Sequence, residues 1–176
     1  MGETVLGIDP GVSETGWAVL ETSEGQPPRL VASGLIKTHP GPAFPDRLQM
    51  IHAELAFVIK THQPDSVAIE EMFFVKIAHT IRNTLQARGV ILLAAAQANR
   101  PVSEYNPKTV KLTITGSGTA QKGQMQTVVQ RALGLTERLT PDDVADAAAI
   151  ALCHIRSRRF KRLVVLDKIG GKGLPI

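Results

Sequence analysis

Three segments of this chain present carboxylates where a fold could gather them. The apolar run at 5–8 leads into Asp9, which Pro10 and Gly11 follow at once; the run VAI at 67–69 leads into Glu70 and Glu71; and the Ala-rich stretch TPDDVADAAAIA carries Asp142, Asp143 and Asp146. Taken alone, Asp before Pro-Gly reads as a turn residue whose side chain bonds nearby amides. A second strand that also ends in charge shifts that reading. Because adjacent strand residues face opposite ways, one of Glu70 and Glu71 shares the Asp9 face; Glu70 is assigned to it, and Glu71 becomes a supporting or solvated neighbour.

In the third segment, Thr140 and Asp143 resemble a capping box, and Asp142 suits the positive end of a helix dipole. Asp142 is read as such a first-turn residue. Asp146 lies deeper, among small side chains that imply close packing, where a carboxylate needs a cation or a proton to compensate burial. Asp143 and Asp146, at i and i+3, share a helix face. Convergence of Asp9, Glu70, Asp143 and Asp146 would place up to four negative groups together with no Lys or Arg adjacent in sequence. Hard divalent cations such as Mg²⁺ or Mn²⁺ answer that arrangement, and one or two ions can be held. Two ions about 3.5 to 4 Å apart suit phosphodiester hydrolysis, activating water and stabilising the leaving oxygen.

The elements that must position these groups follow from periodicity and breakers. Residues 4–8, 16–20 and 29–37 read as three strands of a meander. Leu48, Ile51, Leu55 and Val58 form a helical stripe within 45–60. A fourth strand lies in DSVAIEEMFF, a long helix in 76–99, and a fifth strand in 100–105. Asn106 as cap and Pro107 in the first turn open one helix, residues 121–133 form another, and a last helix runs through VADAAAIALCHI. The order predicts an α/β fold: a five-stranded mixed sheet with helices on both faces.

Composition bounds the rest. At 176 residues and 43% hydrophobic, the chain fits one buried core. The single Cys153 excludes an internal disulfide framework or a multi-cysteine zinc site, fits a reducing cytoplasm, and reads as a small core residue. No basic-then-apolar leader and no membrane-length apolar run is present. Of the net charge of +4, residues 1–155 contribute −2 and residues 156–176 contribute +6. The body is therefore not a basic protein, and residues 159–176, rich in Gly and Lys, read as a basic, mobile tail behind a domain at 1–158. His154 lies eight residues past Asp146, more than 10 Å along a helix axis, too far to share its site. His79 divides evenly between a DNA contact and an exposed surface residue.

GIDPG at 7–11, VAIEE at 67–71, QARGV at 86–90, EYNPKTVKLTITGSGTAQKGQMQ at 104–126 and DDVADAAAIALCH at 142–154 together resemble the RuvC family, bacterial Holliday-junction resolvases of the ribonuclease H-like superfamily. The likeness spans roughly residues 4–155, in the family's order. It implies a ribonuclease H-like fold and a metal-dependent homodimeric endonuclease of recombination and repair. Such an enzyme nicks two opposing strands of a four-way junction and leaves 5′-phosphates. It also implies Asp9, Glu70, Asp143 and Asp146 as catalytic metal ligands, with Asp143 chosen over Asp142 by the family's Asp-x-x-Asp spacing. Lys111 and Lys122 fall where the family has lysines near the active site, with Lys122 suited to stabilising charge on the scissile group. Phe73 or Phe74 falls where the family carries an aromatic near the junction centre, with Lys76 beside them as a further DNA contact. The implied partners are RuvA and RuvB, the implied compartment is the cytoplasm, and the long helix from Lys76 is the implied dimer surface.

Two other classes compete. An actin-like ATPase also uses an Asp-Gly turn after its first strand, but needs a second glycine-rich phosphate loop and an adenosine pocket. A noncatalytic DNA-binding module would find four clustered carboxylates a liability beside phosphates.

Overall fold

The computed structural model describes the backbone of residues 2–71 and 79–170, and the side chains of 2–71 and 82–158. Phe73, Phe74, Lys76 and the side chain of His79 lie outside the described residues. Five strands, β1 (Glu3–Asp9), β2 (Glu14–Thr22), β3 (Arg29–Lys37), β4 (Ser66–Glu70) and β5 (Val102–Tyr105), form one sheet in the order β3-β2-β1-β4-β5. The meander pairs antiparallel, whereas β1 with β4 and β4 with β5 pair parallel, so the sheet is mixed as expected. The parallel pairs are reached through helical crossovers: α1 (Phe44–His62) leads into β4, and α2 (His79–Gln97) lies between β4 and β5. Then α3 (Pro107–Thr115), α4 (Lys122–Ala132) and α5 (Asp142–Gly170) complete the chain. Helix α5 is thus helical across the predicted boundary at 158. Among the described residues no helix is long and apolar enough to cross a membrane.

Strand periodicity sorts side chains into two cores. Leu6, Ile8, Val19, Val67 and Ile69 face Ile51 and Leu55 of α1 and Ile91 of α2. On the other face Val5, Ala18, Leu20 and Ala68 meet α3, α4 and the Ala-rich α5. Burying each large aliphatic side chain contributes about 1.5 to 3 kcal/mol, and each alanine much less. Helix α5 exchanges some of that gain for proximity. A Cβ on Gly16 would lie 2.0 Å from the Asp143 carbonyl oxygen, and one on Gly7 would lie 2.1 Å from that of Ala147. Two glycines on adjacent strands therefore let the α5 backbone rest directly on the sheet, at the turn that carries Asp143.

Local signals account for the helix ends. The Asn106 side chain accepts from the Lys108 amide at 2.8 Å, Pro107 follows, and Gly116 closes α3 with φ of 79°. Helix α5 departs from the expected capping box: it starts at Asp142, and the Pro141 carbonyl accepts from the amides of Val144 and Ala145. Thr140 stands one residue too far out to act as its cap, because the helix begins one residue later than a Thr140 cap requires.

Candidate active site

Asp9 ends β1 and Glu70 ends β4. The parallel register pairs Val5 with Ser66 and Ile8 with Ile69, so Asp9 and Glu70 form the next rung and point to the α5 face. The turn after Asp9 does not use the carboxylate to satisfy its amides. Thr15, fully buried, does that: its hydroxyl donates to the Gly11 carbonyl at 2.5 Å and receives the Gly11 amide at 3.4 Å. Asp9 is left to hydrogen-bond Glu70.

Electrostatics in this corner follow from burial with like charges. The Asp9 carboxyl is pushed up to about 8, first by burial, then by Glu70, Asp146 and Asp143. Glu70 is also raised by burial, while the hydrogen bond from Asp9 and the charge of Lys111 pull it the other way. Burial likewise raises Asp146 against the opposing charge of Lys122. These carboxylates are close enough to feel one another, as the sequence spacing implied.

The cation these carboxylates face is Lys122, which the family resemblance already put near the site. Lys122, at the start of α4, places its ammonium 3.2 Å from Asp146 and 3.1 Å from Asp142. Burial lowers the affinity of that amine for its proton, but its bonds and charge attraction to Asp142 and Asp146 together outweigh this and raise it. Asp142 is exposed and held low by Lys122 and by Gln126, which donates to it at 2.7 Å. Asp142 thus serves as a docking point for Lys122, beyond the dipole role expected of it. Glu71 continues the chain beside the site, its amide bonded to the Tyr105 carbonyl at 2.8 Å.

A cavity of about 230 Å³ joins Glu70 and Asp146 to Lys111 and Lys122, with Pro107, Val110, Met125 and Ile150 as its apolar lining. Among the described residues no three acidic, imidazole or thiol side chains are drawn together tightly enough to form a finished cation cage. The groups nevertheless fit a hard cation. Asp146 Oδ1 is buried without a hydrogen-bond partner, the donors are all carboxylate oxygens, and burial together with the neighbouring carboxylates holds Asp9 well above the usual carboxylate range.

His154 is elsewhere, as its helical rise predicted. It is buried at 2% exposure, with Nε2 3.2 Å from the Ser66 hydroxyl and Nδ1 2.9 Å from the Tyr105 hydroxyl. Ser66 starts the strand that Glu70 ends, about 13 Å away at strand rise. Cys153 is fully buried in the α5 core. Two arginines counted with the basic end of the chain have structural work: Arg156 donates to the Thr113 and Ile114 carbonyls at the end of α3, at 3.0 and 3.2 Å, and Arg158 pairs with Glu3.

Comparison with known proteins adds the following. The family profile of crossover junction endodeoxyribonuclease RuvC matches residues 5–154. A crossover junction endodeoxyribonuclease RuvC of Pelotomaculum thermopropionicum is 44% identical over 162 residues, covering 92% of this chain and 98% of that protein. The structure of Thermus thermophilus RuvC in complex with a Holliday junction substrate superposes with a TM-score of 0.86 at 35% identity, covering 90% of this chain and 96% of that one. The yeast mitochondrial Holliday junction resolvase Ydc2, at 15% identity and a TM-score of 0.65 over 88% of this chain and 78% of its own, shares the fold.

Proposed function

The chain belongs to the RuvC family of crossover junction endodeoxyribonucleases, and from that premise we propose that it resolves four-way DNA junctions in recombination and repair through the Asp9, Glu70, Asp143 and Asp146 site. The observation that carries this reading is the convergence of Asp9, Glu70 and Asp146, brought from three elements, with the unpartnered Asp146 Oδ1 beside two lysines.

Nucleases of this family depend on a divalent metal, and Asp9, Glu70, Asp143 and Asp146 would hold one or two Mg²⁺ ions, with Mn²⁺ able to substitute. When bound, the metal supplies an activated water and offsets charge on the phosphoryl oxygens. The chain's own residues contribute the rest. Asp9 releases its proton when the cation takes over neutralisation of the carboxylates. Lys122 leaves Asp146 for the scissile phosphate, and Lys111 holds phosphate from across the cavity. Phe73 or Phe74 suits stacking on an unpaired base, and Lys76 suits phosphate contact.

Symmetric cutting of two opposing strands with 5′-phosphate ends needs two such sites, hence a homodimer. Helices α1 and α2 pack together and leave Met50, Phe57 and Leu93 exposed at 42%, 65% and 51%, which supports a dimer surface on α2 and its neighbour. We assign the nuclease to residues 1–158, a DNA-arm contact to the basic segment 159–176, cooperation with RuvA and RuvB, and the cytoplasm as its compartment. The test compares cleavage of a four-way junction with that of linear duplex in Mg²⁺. Cutting confined to the junction and lost in EDTA is expected; equal cutting of linear DNA, or cutting without metal, overturns the reading.

A further inference from the structure

The turn that releases Asp9 toward α5 is built from its other side by residues that the catalytic site does not use. Thr38, at the end of β3 and only 3% exposed, donates its hydroxyl to the Val12 carbonyl at 2.6 Å and its amide to the Ser13 carbonyl at 3.0 Å. Arg47, in the first turn of α1, locks onto the same place: Nε donates to the Thr38 hydroxyl at 2.9 Å, and Nη2 donates to the Ser13 hydroxyl at 3.2 Å. A cavity of about 330 Å³ opens here, lined by residues 11–14, Arg47, Asn83 and Thr84.

Arginine is ordinarily found beside a carboxylate, yet no carboxylate among the described residues pairs with Arg47. Glu14, which also lines the cavity, pairs with Lys37 at 3.2 Å. The guanidinium has five N–H donors in a fixed fork, and two are spent on hydroxyls that orient it without cancelling its charge. A ligand suited to such a cavity is an anion with several acceptor oxygens. Gly11 lies two residues past Asp9, at most about 7 Å along the chain, so the cavity and the carboxylates lie on two sides of one turn. Both are at the carboxyl ends of the parallel strands β1 and β4, where open α/β sheets receive ligands.

We propose that Arg47, with the Ser13 hydroxyl and the Asn83 amide, binds a non-scissile backbone phosphodiester of the DNA strand being cut, and so sets which phosphate reaches the carboxylates. This rests on the nuclease reading and adds a second contact point to it. A strand held at both points runs over the sheet edge, from the α1 face to the α5 face. Its register is then fixed by a rigid turn shared with Asp9.

The experiment uses the full chain and a fluorescent four-way junction, with binding measured across a salt series without divalent metal, and compares Arg47→Gln, Arg47→Lys and, as a charge control at the opposite end of the sheet, Arg29→Gln. Arg47→Gln is expected to weaken binding about tenfold and to lower the salt slope by about 1, with Arg47→Lys keeping the slope and Arg29→Gln matching the wild type. Junctions with single methylphosphonates flanking the cut separate contact from scaffolding. One position should weaken the wild type about tenfold, Arg47→Lys less, and Arg47→Gln not at all. An Arg47→Gln protein with the wild-type slope overturns the proposal. If that variant does not fold, an Arg47→Lys protein with the wild-type penalty at every neutralised position overturns it instead. A wild type that cuts the junction while either result holds loses only this phosphate site; a wild type that neither binds nor cuts the junction overturns the nuclease reading as well.

Discussion

Replacing Gly16 with alanine should disable the active site without touching a carboxylate. The added Cβ would meet the Asp143 carbonyl oxygen at 2.0 Å, the carbonyl carbon at 2.3 Å and the Val144 amide nitrogen at 2.8 Å, all backbone atoms of α5 that no rotamer change can move. Reaching an ordinary contact of about 3.5 Å requires the helix start to retreat by about 1.5 Å. Overpacking of this kind costs about 1 to 3 kcal/mol, less the 0.5 to 1 kcal/mol that alanine regains over glycine in a strand. The fold should survive, with a melting temperature lower by several degrees. Asp143 and Asp146 ride on that turn, and a misplacement of about 1 Å in a reacting constellation costs on the order of 100-fold in rate. Single-turnover cleavage of a four-way junction in Mg²⁺, read beside junction affinity without metal, should show about a 100-fold slower rate at near-unchanged affinity. Gly34→Ala is the control: its Cβ meets the Trp17 ring at 2.7 Å, so it stresses the sheet away from the carboxylates and should lower stability but not rate. Wild-type cleavage by Gly16→Ala would refute the claim that the glycine contact sets the carboxylate geometry.

Other perturbations probe separate parts of the account. Asp9 holds its proton up to about pH 8 in the folded chain but only to about 3.8 unfolded, so its contribution favours the fold at low pH and is lost as pH rises through 8. Melts in EDTA should therefore fall between about pH 4 and 8, at up to about 1.4 kcal/mol per pH unit, and Asp9→Asn should flatten that fall; parallel profiles would count against it. Stabilisation by added Mg²⁺ should instead grow over the same range, because the cation displaces the proton. Lys122→Ala should slow cleavage about 100-fold or more with little loss of junction affinity, and an unchanged rate would return Lys122 to the exposed surface. Ser66→Ala removes the hydroxyl beside Nε2 of buried His154 and should cost about 1 to 3 kcal/mol in chemical unfolding while leaving cleavage intact, since Ser66 begins the strand that Glu70 ends.

How far the sequence reached depended on whether a signal was local. Strand period two was enough to put one of Glu70 and Glu71 on the Asp9 face, and the family resemblance chose Glu70; helical spacing put Asp143 with Asp146 and kept His154 away. Asn106-Pro107 announced α3 because cap and first turn are read from neighbours. The pairing of Lys122 with Asp146 was illegible because it depends on how α4 docks against α5, across 24 positions of chain. Thr15 was missed for a related reason: its hydroxyl satisfies the turn that Asp9 was expected to satisfy, and nothing in GIDPG indicates which side chain wins. Charge counting put Arg156 and Arg158 with the basic end of the chain, yet their bonding partners, the end of α3 and Glu3, lie far away in sequence. Gly7 and Gly16 looked like ordinary strand residues until the helix that rests on them was in place.

If these carboxylates form a cation site, the chain takes up a divalent ion in the absence of DNA. Titrating the full chain with Mn²⁺ at pH 8, with free ion read by electron paramagnetic resonance, tests it without reference to cleavage. The wild type should bind at least one ion per chain, and Asp146→Asn, which replaces one carboxylate oxygen by an amide and removes the negative charge beside Lys122, should weaken that binding by at least tenfold while keeping the wild-type fold. Equal Mn²⁺ affinity in the two proteins would contradict the account.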